Sequence, residues 1–294
     1  MEASATSLYR REGAYIPRVA AVHDLCGYGK CSLGVAIPVL SAAGCDVCPV
    51  PTGLFSSHTA FPGWYMHDTT DIMGDYLAAW NGIGVEIDAV YSGFLGAPEQ
   101  VDRIRELYAA FPNALRVVDP VMADHGKVYP TYTPELCAAM AELACGADIL
   151  TPNLTEAAII LGEPIGDDWG GTDIDDVEAA RIVTALVAKG AKNVVLKGIQ
   201  RKGESCIRNF VGNADGAIAE VHNEFLPYML HGTGDVYASC LLAAVMAGRS
   251  LEEAAAFAGD FVHDAMIVSA QQPDFRNRGV SFEPLLGKVT ALLD

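Results

Sequence analysis

The chain alternates between two kinds of segment, and that alternation limits the folds open to it more than any other feature. Short β-branched or apolar runs (RVAAVH, DVCPV, DAVYSGF, LRVVDP, ADILTPN and NVVLKG) are separated by helical stretches near 32–43, 70–81, 98–111, 133–144, 153–162 and 175–189. Strand–helix–strand units join by right-handed crossovers, so the pattern predicts a mostly parallel sheet with helices on both faces. The run CIRNFVGNADGAIAEVHNEF breaks the alternation. Its two strand-like pieces flank a turn-like NADG, which predicts an antiparallel hairpin extending the sheet. Three more helical stretches, near 233–247, 251–271 and 282–293, close the chain. The expected fold class is α/β, a three-layer αβα sandwich. Residues 1–17 read as a loose arm and residues 18–294 as a single domain, with no repeat and no linker. A chain of 294 residues with 51% hydrophobic side chains is long enough for one large core.

Charge narrows the partners. The net charge is −18 with no basic stripe, which argues against nucleic acid and against anionic membrane surfaces. An acidic protein that binds an anion must gather local positive potential from a metal ion, a few lysines and helix N-termini. The eight cysteines include one C-x-x-C, Cys45 and Cys48, without a second pair at zinc-site spacing. They read as buried or half-buried thiols suited to a reducing cytoplasm. The segment MEASATSLYRREGAY has no apolar core of a secretory signal, and the longest apolar run, ASCLLAAVMAG, is too short to span a bilayer.

Polar residues cluster where the strands end. HD (23–24) follows the first strand, SGF (92–94) a later one, then DPVM (119–122) and TPNLTE (151–156). Ligands of open α/β sheets bind outside the carboxyl ends of the strands, so these clusters should meet at one rim. HGTGD (231–235) adds a helix start. Gly232 and Gly234 allow close backbone approach, and the first amides of the helix, with Thr233, form a ready anion site. The helix dipole supplies only ~0.3–1 kcal/mol, so other charges must help. Asp235 among anion-binding amides makes sense as a base that takes the proton from an attacking hydroxyl. The bland alternative is a helix cap followed by a glycine packing contact. The segment is not a P-loop, since G-x-x-x-x-G-K-[ST] is absent. Asp119 ends a strand. Asn153 and Glu156, three apart at a helix start, share a face, and these oxygen ligands suit a sparsely held, hydrated magnesium. The same spacing also satisfies a helix capping box.

In order and over residues 19–271, the motifs HDLCGYGKCS, PTGLFSSHT, YSGFLG, DPVM, TPNLTEA and HGTGD resemble those of the vitamin B6 kinases of the ribokinase superfamily, in particular the bacterial pyridoxal/pyridoxamine kinases. The resemblance implies a ribokinase-like fold and transfer of the γ-phosphoryl group of ATP to the 5′-hydroxymethyl group of a pyridine. It implies Asp235 as base, with Gly232, Thr233 and Gly234 as an anion hole. Asn153 and Glu156 would act on the magnesium shell, with Asp119 near metal and phosphates. Lys197 falls on the nucleotide side, where an ordinary strand-end lysine is the alternative. Lys127, in ADHGKVYP (123–130), falls in a loop that covers the phosphates in relatives. Substrate contacts are expected from Asp24, Thr52, His58 and Phe94, with His58 equally readable as a buried, internally satisfied histidine. Asp24 stands where serine is expected and Phe94 where tyrosine is, which leaves phosphoryl transfer intact and opens the choice of ring substituents. Magnesium with ATP, a monovalent cation, a homodimer and a cytoplasmic setting belong to the same set of expectations. The competing readings are a hydroxymethylpyrimidine or sugar kinase of the same fold, and a non-catalytic B6-binding protein. FSSHT and GYGKCS weigh against the first, and an intact Asp235 against the second. A NAD-type enzyme is disfavoured because no G-x-G-x-x-G follows the first strand.

Overall fold

The computed structural model describes residues 7–165 and 174–294, so residues 1–6 of the expected arm lie outside the described residues. Among the described residues, eleven strands and ten α-helices follow in chain order. They are β1 (Arg18–Cys26), α1 (Leu33–Ala42), β2 (Asp46–Phe55), β3 (Met66–Asp68), α2 (Thr70–Ile83), β4 (Ala89–Ser92), α3 (Pro98–Ala110) and β5 (Leu115–Val118). Then come β6 (Ala123–Asp124), β7 (Lys127–Val128), α4 (Pro134–Ala144), β8 (Ile149–Leu150), α5 (Leu154–Leu161), α6 (Asp176–Ala188), β9 (Asn193–Gln200), β10 (Cys206–Asn213) and β11 (Ile218–Glu224). The chain closes with α7 (Thr233–Met246), α8 (Leu251–Ala270), α9 (Phe275–Arg278) and α10 (Leu286–Thr290).

Nine strands form one sheet in the order β11-β10-β9-β8-β5-β4-β1-β2-β3. The pairings from β9 through β2 are parallel, and only β10, β11 and β3 run antiparallel to their neighbours. The sheet is apolar on both sides because both sides are covered. Along β1, Ala20 and Val22 pack with α2 to α6, while Val19 and Ala21 pack with α1, α7 and α8. The molecule is therefore the expected αβα sandwich with a mostly parallel sheet. The β10–β11 hairpin turns at Asn213, whose side chain accepts from Asp215 N at 2.9 Å, with Gly216 at φ +79°.

One expected element is different. The helical stretch near 282–293 is a 3₁₀ turn at Glu283–Leu285, the short α10, and a second 3₁₀ turn at Ala291–Leu293. Pro284, whose ring has no N–H to give, sits at its start. Residues 7–17 carry no helix or strand. They are tied to the body by Tyr15 Oη, which donates to Asp88 at 3.0 Å, and by Arg11 Nη1, which donates to Ala43 O at 3.0 Å. All eight cysteines are free, four buried and four half-buried. Among the described residues no helix is long and apolar enough to cross a membrane.

Candidate active site

The carboxyl ends of β1, β4, β5 and β8 lie side by side in the sheet, as the parallel register demands. The chain leaves β4 at Gly93–Phe94, β5 at Asp119 and β8 at Thr151–Asn153, whereas His23 and Asp24, expected after the first strand, lie inside β1, which pairs with β2 as far as Cys26. Asp119 lies at the centre and is 1% exposed. Its Oδ1 accepts from Thr151 Oγ1 at 2.9 Å and from Lys197 Nζ, while its Oδ2 is buried without a partner. Burial alone lowers the Lys197 ammonium, but Asp119, Glu156 and Asp235 around it outweigh that and hold it above its ordinary value.

Asn153 and Glu156 cap α5 reciprocally. Asn153 Oδ1 accepts from Glu156 N at 2.9 Å, and Glu156 Oε2 accepts from Asn153 N at 2.9 Å. Their remaining polar atoms hold the loop after β5: Asn153 Nδ2 donates to Ala123 O at 2.8 Å, and Glu156 Oε1 accepts from Met122 N at 3.3 Å. Burial pushes the Glu156 carboxyl up to about 8, with Lys197 pulling it down and Asp119 pushing it further up. The capping box is thus present, and it also holds the loop that follows Asp119. The β6–β7 hairpin docks on the same helix start through Gly126 N, which donates to Thr155 Oγ1 at 3.0 Å. Lys127 stands exposed on that hairpin.

No side chain caps α7, which leaves the N–H groups of its first turn open to an anion. Thr233 Oγ1 instead donates back to Leu230 O at 3.2 Å. Gly232 has φ +84°, and a Cβ there would lie 1.8 Å from Lys30 O, so only glycine lets the two loops meet. A Cβ begun at Gly234 would lie 4.0 Å from Lys197 Nζ, which brings that ammonium to the same helix start. Asp235 is half-buried in the first turn of α7. Burial, together with Asp119 and Asp24, raises its carboxyl to about 7, against the pull of the Ser32 N–H and of Lys197.

Asp24 is 5% exposed, at a point in the β1–β2 pairing where two β2 residues, Thr52 and Gly53, face one on β1. Burial raises its carboxyl to about 6, opposed by the Ser32 hydroxyl. Thr52 Oγ1 donates to Phe94 O at 2.8 Å. The Phe94 ring meets Phe55 edge-on at 5.5 Å and Tyr132 at 5.7 Å. His58 has both ring nitrogens engaged within the protein. Its Nδ1 accepts from Ala60 N at 3.3 Å, which makes Nε2 the protonated nitrogen, donating to Asn277 O at 2.8 Å. Its ring stacks on His231, centroid to centroid 4.8 Å, so it braces the start of the HGTGD loop while both nitrogens are committed.

Ser32 escapes notice in the sequence although it lies inside HDLCGYGKCS. It touches both Asp24 and Asp235 and holds φ +51°, a strained value for serine that the two packed loops enforce. The readable signal is a serine at a helix start after a glycine-rich turn. Lys30, whose carbonyl meets Gly232, leaves no such signal. Among the described residues, no group of three or more His, Cys, Asp or Glu side chains is arranged to hold a metal ion.

A parallel sheet with two helix starts, three raised carboxyls and one lysine converging at its carboxyl rim defines a small-molecule kinase of ribokinase-like fold. The family model described as phosphomethylpyrimidine kinase matches residues 42–278, and the chain belongs to that family. It is 30% identical over 272 residues to the pyridoxal kinase PdxY of Pasteurella multocida, covering 87% of this chain and 91% of that one. Among solved structures it is similar to a Bacteroides thetaiotaomicron protein, provisionally described as a phosphomethylpyrimidine kinase and crystallised with pyridoxal. That likeness has 33% identity and a TM-score of 0.87, over 94% of this chain and 96% of the other. The pyridoxal kinase of Lactobacillus plantarum is similar at 29% identity and a TM-score of 0.85, over 95% and 98%.

Proposed function

We propose that this kinase transfers the γ-phosphoryl group of ATP to the 5′-hydroxymethyl group of a B6 vitamer, with Asp235 as general base. The carrying observation is Asp235 itself, a carboxyl raised to about 7 at the foot of an uncapped helix start. A base works best with a pKa near the operating pH. The hydroxymethyl oxygen forms its bond to the γ-phosphorus, its proton passes to an Asp235 oxygen, and ADP leaves. The amides of Thr233 and Gly234, with Lys197, receive the charge of the moving phosphoryl group. Asp24, Thr52 and the aromatic cluster around Phe94 line the side where a planar ring fits.

Magnesium fits the rim. Asp119 Oδ2 is a buried carboxylate oxygen with no partner, a hard donor that a divalent cation satisfies. A divalent ion held there by Asp119 would supply positive charge against the phosphates. Asn153 and Glu156, engaged in their capping box and bonded to the loop after Asp119, would act on such an ion through its water shell. Lys127 on its hairpin covers the phosphates. A homodimer is supported by the exposed apolar side chains Leu54, Tyr65, Ile72 and Tyr76 near edge strand β3. The relatives named pyridoxal kinase and the neighbour crystallised with pyridoxal support a pyridine acceptor. The second reading, a hydroxymethylpyrimidine acceptor, is favoured by the description of the family model.

A coupled ATP-consumption assay across pyridoxal, pyridoxamine, pyridoxine and hydroxymethylpyrimidine tests the acceptor. Turnover of the pyrimidine alone would replace the B6 reading. Asp235→Asn tests the base: kcat should fall by ~10²–10⁴ while ADP affinity is kept. A variant with near wild-type kcat would reduce Asp235 to a structural residue.

A further inference from the structure

Lys197 owes its direction to a break in the sheet. Along β9, Val194 and Leu196 pack on the α2–α6 side and Val195 on the α7–α8 side, so alternation should send residue 199 to the latter; Ile199 packs on the former instead. The register explains the reversal. Leu196 pairs with Phe210 and Ile199 with Arg208, which leaves Lys197 and Gly198 together opposite Asn209. Gly198 takes φ +77°, the left-handed residue of a bulge. Bulges near active sites commonly re-aim a side chain.

The bulge is held by a chain of amides reaching the far face of α8. Gly198 N donates to Asn209 Oδ1 at 3.0 Å. Asn209 Nδ2 donates to Asn223 Oδ1 at 3.1 Å, and Asn223 Nδ2 donates to Asp260 Oδ1 at 2.9 Å. The order is one-directional: a backbone N–H can only donate and an ionised carboxylate can only accept, so the two ends fix the orientation of both amides. Asn209 is 2% exposed and Asn223 is buried, while Asp260 is exposed. Gly259 is part of the device, because a Cβ there would lie 1.9 Å from Asn223 Oδ1.

We propose that Asn209, Asn223 and Asp260 are positioning residues that aim Lys197 at the transferring phosphates. The proposal rests on the reading of Lys197 as the cation beside the anion hole. Lys197 N donates to Pro152 O at 2.9 Å, and Gly198 N is held by Asn209. The peptide planes on both sides of the Lys197 Cα are thereby pinned, and its Cα–Cβ direction with them. Remove the Asn209 amide, and a buried N–H loses its partner; the bulge is then free to relax and the ammonium to drift from Asp119 and Gly234.

The test compares Lys197→Ala, Asn209→Ala, Asn209→Asp and Asp260→Ala by calorimetric titration of ADP in magnesium buffer, by kcat and the two KM values, and by thermal midpoint. Asn209→Ala should weaken ADP and raise the KM for ATP by roughly three- to ten-fold, the size of one net hydrogen bond, with the KM of the pyridine substrate nearly unmoved. Asn209→Asp keeps the acceptor for Gly198 N but has no N–H for Asn223 Oδ1, so it should recover only part of that loss. Asp260→Ala changes an exposed side chain, so it folds even where the Asn209 variants do not, and it should show a smaller loss of the same sign. A midpoint that drops while ADP affinity stays at the wild-type level would make the relay a purely structural element and overturn the proposal. Wild-type ADP affinity in Lys197→Ala would instead overturn the reading of Lys197 beneath it, whatever the relay variants do.

Discussion

Asp24 joins a charge to a position that should face the substrate ring. Burial lifts its carboxyl to about 6, so it is mostly ionised at neutral pH and mostly neutral one unit below 6. An ionised carboxylate favours an aminomethyl cation over an aldehyde, and a charge-assisted hydrogen bond contributes ~1.5–3 kcal/mol, roughly 10- to 150-fold in selectivity. The expected outcome is a preference for pyridoxamine over pyridoxal in kcat/KM that shrinks as pH falls through 6 and drops several-fold in Asp24→Ser. Equal losses for both vitamers would move Asp24 to the ring nitrogen, and no loss would leave it as a loop residue. Residues at this scale were unevenly legible. Asp119, Asp235, Asn153 and Glu156 stood out as polar groups at strand and helix ends, although capping by itself also places an amide and a carboxylate at the start of α5. An internally satisfied histidine is one of the two readings the sequence allows for His58, and both nitrogens are so committed; only the partner Asn277, 219 positions away and reached through the fold, was not readable.

Helix α5 carries two roles at its first turn. The Asn153–Glu156 box satisfies its amides, and Glu156 also braces Met122 in the loop after Asp119. Glu156→Gln keeps the shape but puts an NH₂ group against one of two backbone donors. Loss of a cap typically costs ~1 kcal/mol, so the thermal midpoint should drop. The magnesium concentration for half activity should rise as well, with the KM of the pyridine substrate moving much less. A lowered midpoint with an unchanged magnesium titration would leave Glu156 as a cap only. The parallel strands and long helices were legible because each long apolar run and each helical period spans enough residues to stand out. Three smaller elements were not. β3 is three residues, Met66–Asp68, with no β-branched side chain. The β6–β7 hairpin has two residues in each arm, too few for a period to form. The terminal segment has apolar spacing that reads as one helix, but it breaks into a 3₁₀ turn, α10 and a second 3₁₀ turn.

The whole molecule carries a net charge of −18 and gathers three raised carboxyls at one rim, two buried and Asp235 half-buried. That fixes the sign of its stability against pH. Asp24 rises from 3.8 to about 6, Asp235 from 3.8 to about 7 and Glu156 from 4.5 to about 8. Each holds in the folded state a proton that the unfolded chain gives up earlier. Its contribution is therefore complete below the unfolded value and is lost as pH rises through the folded one. His23 works the other way: burial lowers it from 6.5 to about 3, so its contribution is present above 6.5 and fades as pH falls. The two trends oppose each other below 6.5. Above 6.5 the histidine has no further effect, while Asp235 and Glu156 are still titrating. The thermal midpoint of the ligand-free protein should therefore fall steadily from pH 6.5 to 8, measured by scanning calorimetry in buffers of constant ionic strength. Asp235→Asn removes one of the two groups and should flatten that slope without reversing it. A midpoint that climbs across the same interval would mean that the rim carboxyls ionise freely in the folded protein, and Asp235 would then lack the environment that suits it to take a proton.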